Sequence, residues 1–134
     1  MLLKDKRVFI VEDKLENRAI MQMLLEQHGA KIGFERWGLN TIEKLQAFAP
    51  VDVILLDLMF PNNITGYDVF DQIRAQPDYR FVPIVAVSAS DPSTAIPLTR
   101  SKGFTGFIAK PVDYDAFPRQ IAKIIDREPV WFAG

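Results

Sequence analysis

Four short apolar runs, each ending on a polar residue, constrain this chain more than any other feature. They are Val8-Phe9-Ile10-Val11 before Glu12 and Asp13, Val53-Ile54-Leu55-Leu56 before Asp57, Ile84-Val85-Ala86-Val87 before Ser88, and Phe107-Ile108-Ala109 before Lys110. Read as buried parallel strands, they bring three carboxylates, one hydroxyl and one amine to the carboxyl edge of a single sheet, where open α/β folds bind their ligands. Any one of these residues is explained more simply as a helix cap or a solvated loop residue. All five at the ends of four neighbouring strands are not.

Between the runs lies helical periodicity, the pattern of repeated βα units around a parallel sheet. Ile20, Met21, Leu24 and Leu25 share one face of a first helix that stops at Gly29, a natural left-handed C-terminal residue. Lys31 to Arg36 is a weaker, edge-like second strand. Asn40 and Glu43 have capping-box spacing before a helix that carries Ile42, Leu45 and Phe48 and ends at Pro50. The third strand spans about Val51 to Leu56, the third helix about Gly66 to Ala75, and the fourth strand Pro83 to Val87. Asp91 and Pro92 open a fourth helix, and Pro97 inside it predicts a short or kinked element. The fifth helix begins near Asp115, so that Pro118 falls in its first turn, and ends near Arg127. The predicted architecture is therefore (βα)5: a doubly wound, five-stranded parallel sheet with helices on both faces. The pattern reads as one domain over 1–134, with a core of about 5–126 and a tail of 127–134 that holds Trp131 and Phe132.

Composition narrows the function. Lys and Arg total 16 against 17 Asp and Glu, with no run of like charge, so no field favours direct binding of nucleic acid. Absence of cysteine removes disulfide, thiolate and cysteine-zinc chemistry, and it fits a cytoplasmic location. The first apolar run is four residues long and follows Lys4, Asp5, Lys6 and Arg7, which does not fit a signal peptide or a membrane span.

The segments VFIVED, VILLDLMFP, Gly66, VAVSAS and GFIAKP occur here in the order and spacing of the receiver domain of two-component response regulators, which the chain resembles in its CheY-like, single-domain form. The resemblance covers about residues 5–126 and implies a flavodoxin-like, three-layer sandwich. Three departures leave the required groups in place: Glu12 where many members have Asp, Ser88 where threonine is frequent, and Phe107 where tyrosine or another aromatic is usual. The stretch from Asp57 to Gly66 is one residue longer than the commonest form, with Asn62 and Asn63 as the insertion.

The chemistry can be argued from the residues. Glu12, Asp13 and Asp57 repel one another and invite a hard divalent cation, Mg²⁺ or another such as Mn²⁺, bound directly by Asp13 and Asp57 and by Glu12 directly or through water. Asp57 then serves as the attacking oxygen, while the metal and Lys110 neutralise the transferred phosphoryl group. The Ser88 hydroxyl can move to donate to a phosphorylated Asp57. The resemblance further implies a metal contact from the backbone carbonyl of Met59, a cis bond between Lys110 and Pro111, and a switch in which Phe107 fills the space Ser88 leaves. It also implies a histidine kinase or histidine phosphotransfer protein as donor, and a downstream protein partner on the surface of the fourth helix, fifth strand and fifth helix. The expected product is a signalling phosphoprotein that assists its own phosphorylation and dephosphorylation rather than an enzyme. Two other readings stand beside this one. One is a pseudo-receiver that binds partners without phosphorylation. The other is a haloacid-dehalogenase-like phosphatase, which needs a second carboxylate two positions after the nucleophile, where this chain has Met59. Asn17 and Arg18 are read as solvated helix residues.

Overall fold

The computed structural model describes all 134 residues. The four apolar runs and the edge-like segment become strands: β1 (Arg7–Val11), β2 (Lys31–Glu35), β3 (Val53–Leu56), β4 (Ile84–Ser88) and β5 (Gly106–Ala109). They alternate with α1 (Leu15–Glu26), α2 (Thr41–Phe48), α3 (Gly66–Arg74), α4 (Pro92–Lys102) and α5 (Ala116–Ile125). A sixth strand, β6 (Val130–Phe132), follows, and the order across the sheet is β2-β1-β3-β4-β5-β6, parallel throughout. The expectation of five strands is thus corrected to six, because the tail folds back and pairs with β5.

Strand alternation divides the core into two. Phe9, Val11, Ile54, Leu56, Ile84, Ala86 and Phe107 face α2, α3 and α4, whereas Val8, Ile10, Val53, Leu55, Val85, Val87 and Ile108 face α1 and α5. A parallel sheet covered on both faces needs such all-apolar strands. The three layers follow from that pattern.

The helices differ from expectation in two respects. Asn40 makes no side-chain cap to α2; the carboxylate of Glu35 instead accepts from the Trp37 and Gly38 amides and the Thr41 hydroxyl, at 2.6, 3.0 and 2.6 Å. α4 is an uninterrupted helix of 11 residues despite Pro97. The Asp91 carboxylate caps its first turn and Gly103, at φ 105°, closes its last. The hydrogen bond that Pro97 cannot donate would go to the Ser93 carbonyl, and both residues are exposed, so the missing donor falls on the solvent side and not in the core. The inner side stays intact, with Ala95 and Thr99 buried and the Thr99 hydroxyl donating to the Ala95 carbonyl at 2.7 Å. Pro118 sits in the first turn of α5, as expected. Lys110–Pro111 is cis, also as expected, and so is Ala49–Pro50.

Candidate functional site

The site is assembled by strand ends. Glu12 and Asp13 follow β1, Asp57 follows β3, Ser88 closes β4 and Lys110 follows β5. Because β1, β3, β4 and β5 are consecutive in the sheet, the four segments emerge side by side. Backbone bonds tie them there: the Asp57 amide donates to the Val11 carbonyl at 3.1 Å, and the Lys110 amide to the Ser88 carbonyl at 2.9 Å.

Lys110 is the electrostatic centre. Its ammonium donates to Asp57 Oδ2 at 2.9 Å and also to Glu12 Oε1, so one amine bridges two carboxylates. Asp57 Oδ1 accepts from the Leu58 amide at 2.7 Å. Glu12 and Asp57 are buried, at 1% and 8% exposure, while Asp13 is half-buried. One oxygen from each of the three carboxylates lies within 4.8 Å of the others, a donor set suited to a hard divalent cation. Burial pushes Glu12 up to about 7, the Asp57 charge adds to the rise, and Lys110 opposes it. Burial would lower Lys110, but the Asp57 charge and the bonds to Glu12 outweigh it and hold the amine above its ordinary value. Glu12 Oε2 is buried with no hydrogen-bond partner. An orphaned carboxylate oxygen beside two further carboxylates fits a metal ligand better than a structural acid, since an unpaired buried acceptor otherwise costs about 1–3 kcal/mol.

The loop after Asp57 closes over a glycine. The Gly66 amide donates to the Leu58 carbonyl at 2.9 Å, and a Cβ at residue 66 would come within 2.8 Å of Leu58 Cα. Asn62 and Asn63 are both left-handed, at φ 64° and 60°, a conformation asparagine tolerates better than most residues. Met59 sits on this loop, 70% exposed, and no carboxylate stands in its place.

Ser88 is buried, and its hydroxyl is held from the following loop: Ser90 Oγ lies at 2.9 Å and the Ser90 amide donates to Ser88 Oγ at 3.2 Å. Phe107 is wholly buried in the core that faces α4. Sequence reasoning missed two neighbours. Ser90 is one; Arg18 is the other, and it is not a solvated residue. It is buried, donates to the Glu12 carbonyl at 3.2 Å and stacks over Phe34 at 4.2 Å. Its signal was its spacing of three and seven from Met21 and Leu25, which places it on the inner face of α1.

The response regulator receiver domain family matches residues 8–122 of this sequence. The chain belongs to that family. Among related proteins, the polar-differentiation response regulator DivK of Brucella ovis is 29% identical over 112 residues, covering 84% of this chain and 89% of DivK. The CAI-1 autoinducer sensor kinase/phosphatase CqsS of Vibrio cholerae is 25% identical over 119 residues, but this chain spans only 17% of its length. Among solved structures, the chemotaxis response regulator CheY4 of Vibrio cholerae superposes with a TM-score of 0.80 at 22% identity, over 90% of this chain and 99% of that one. The receiver domain of sensor histidine kinase PA1611 of Pseudomonas aeruginosa, with a magnesium ion coordinated in its active-site cleft, gives 0.79 at 24% identity over 91% and 98%. The receiver domain described here is thus a two-component signalling module with a CheY-like fold. None of its helices is long and apolar enough to cross a membrane.

Proposed function

We propose that Asp57 accepts a phosphoryl group from the phosphohistidine of a histidine kinase or a histidine phosphotransfer protein, and that the resulting aspartyl phosphate switches contacts with a downstream protein in the cytoplasm. The observation that carries this reading is the Lys110 bridge between Asp57 and Glu12 beside the unpartnered Glu12 Oε2. An Asp57 oxygen attacks phosphorus as the phosphorus–nitrogen bond of the donor breaks, and the imidazole leaves. Lys110, already within 2.9 Å of the Asp57 carboxylate, faces the charge that gathers on the phosphoryl oxygens. Glu12, Asp13 and Asp57, with the Met59 carbonyl, would hold Mg²⁺ or Mn²⁺. When bound, the metal neutralises phosphoryl charge and the mutual repulsion of the carboxylates. The same groups would serve hydrolysis of the product, which makes the protein a signalling phosphoprotein that assists its own chemistry.

The switch follows from what phosphorylation does to Ser88. Its hydroxyl would leave Ser90 for a phosphoryl oxygen, and Phe107 would repack into the vacated space. A charge-assisted hydrogen bond contributes about 1.5–3 kcal/mol, less than the roughly 5.5 needed to reverse a 1:99 equilibrium. Lys110, the metal and Phe107 therefore share the bias. Incubation with acetyl phosphate and Mg²⁺, followed by intact mass measurement, tests the assignment. One added phosphoryl group is expected, absent in Asp57→Asn and in EDTA; full labelling of Asp57→Asn would remove Asp57 as the acceptor.

A further inference from the structure

The turn that carries Glu12 and Asp13 has few ties of its own. The Glu12 amide donates to the Glu35 carbonyl of β2 at 3.1 Å, but no backbone amide reaches the Glu12 carbonyl. Asp13 lies in the bend that follows, and α1 then starts from Lys14 without a side-chain cap. One side chain supplies the missing tie. Arg18, one turn into α1, donates from its guanidinium to the Glu12 carbonyl at 3.2 Å. That carbonyl belongs to the planar peptide joining Glu12 to Asp13, so fixing it fixes how the two residues are aimed relative to one another.

Arg18 is itself held from β2. It is buried and forms no ion pair with any carboxylate, and its guanidinium lies over the Phe34 ring at 4.2 Å. A buried cation without a counter-ion is costly to keep for packing alone. A guanidinium can rest its face on a ring while it donates in its plane to a carbonyl, a combination lysine does not offer. The edge strand therefore grips Glu12 at both of its backbone groups: Glu35 holds the amide directly, and Phe34 holds the carbonyl through Arg18.

We infer that Arg18, held by Phe34, is a positioning residue that sets the Glu12–Asp13 peptide so that both carboxylates meet a divalent cation together with Asp57. This rests on the metal reading of the cluster given above and extends it to two residues outside the ligand set. Two roles for Arg18 predict opposite signs. As a nearby cation alone it would oppose a second cation, so its removal would tighten metal binding. As the tether of the peptide, its removal frees the ligands and weakens binding, and residues that orient metal ligands carry about 10- to 100-fold in affinity.

The test is the affinity of the full chain for Mn²⁺, read from the paramagnetic resonance signal of the free ion, alongside urea unfolding without metal. Arg18→Met keeps a long apolar stem and removes the donor; Phe34→Leu removes the ring and leaves the donor. Both should weaken Mn²⁺ binding, Arg18→Met by about tenfold or more and Phe34→Leu by less. A purely structural Arg18 would lower stability in urea and leave the affinity of the folded chain as it was. Unchanged or tighter binding in either variant would overturn the proposal, and Phe34→Leu decides alone if Arg18→Met fails to fold. Asp13→Ala separates this from the metal reading, since loss of Mn²⁺ there upholds the cluster as the site. A wild-type chain that binds no Mn²⁺, or Asp13→Ala that binds as well as wild type, would remove the site and the proposal with it.

Discussion

At Glu12, burial and charge act against each other, and the residue predicts how the protein responds to pH. The folded-state value of about 7 lies above the ordinary 4.5, so between these values the folded protein holds a proton that the unfolded chain releases. The stability this contributes is complete below the unfolded value and is lost as pH rises through the folded one. In EDTA, urea unfolding should therefore show stability falling between about pH 5 and about pH 7, by at most about 3 kcal/mol, with the slope removed in Glu12→Gln. Mg²⁺ should restore stability at the upper end of that range, because the ligands it would engage are the deprotonated carboxylates. A flat profile in EDTA would mean that Lys110 keeps Glu12 ionised throughout. The residue identities of this cluster were legible in the sequence because each follows an apolar run. Arg18 and Ser90 were not, since an arginine on a helix and a serine in a loop are ordinary residues until the fold places them beside Glu12 and Ser88.

Among the elements, α4 shows where local rules mislead. Pro97 predicts a break, but its cost falls on a solvent-facing carbonyl while the inner side of the helix, capped at Asp91 and Gly103, remains packed. Tertiary burial overrides propensity here. Pro97→Ala returns a donor to Ser93 and should raise stability in urea unfolding by about 1–3 kcal/mol. An unchanged or weakened protein would mean that contacts of the ring, not tolerance of it, explain its presence. Capping boxes teach a related lesson. Asn40 and Glu43 have the spacing but not the cap, because Glu35, five residues before Asn40, already organises that loop. Thr65 and Asp68, passed over in the sequence, form the reciprocal pair at α3. Thr65→Ala should cost about 1 kcal/mol, measured the same way; no loss would show that Gly66 and its bond to Leu58 hold the helix start alone.

For the whole molecule, five parallel strands and helices on both faces were readable because apolar runs and helical stripes are local patterns, whereas the order of the strands across the sheet is set by non-local pairing. The sixth strand was not readable either. Three residues beyond Pro129 carry no period, and only the distant β5 edge gives them a partner. Its presence makes β5 an interior strand and sets Trp131 beside Phe107 in register, with its ring under Arg100 of α4. That position makes Trp131 a reporter on the switch. Phe107 lies opposite it in register, so repacking of Phe107 toward Ser88 would remove a neighbour from one side of the indole while Arg100 stays stacked on it. In a Trp37→Phe background, which leaves Trp131 as the single tryptophan, beryllofluoride with Mg²⁺ should shift the emission. The change should saturate with occupancy of Asp57 and vanish in Asp57→Asn. A bound phosphoryl mimic that leaves the emission unmoved would confine the change to the Ser88 loop, and the path from Asp57 to the far edge of the sheet would then not run through Phe107.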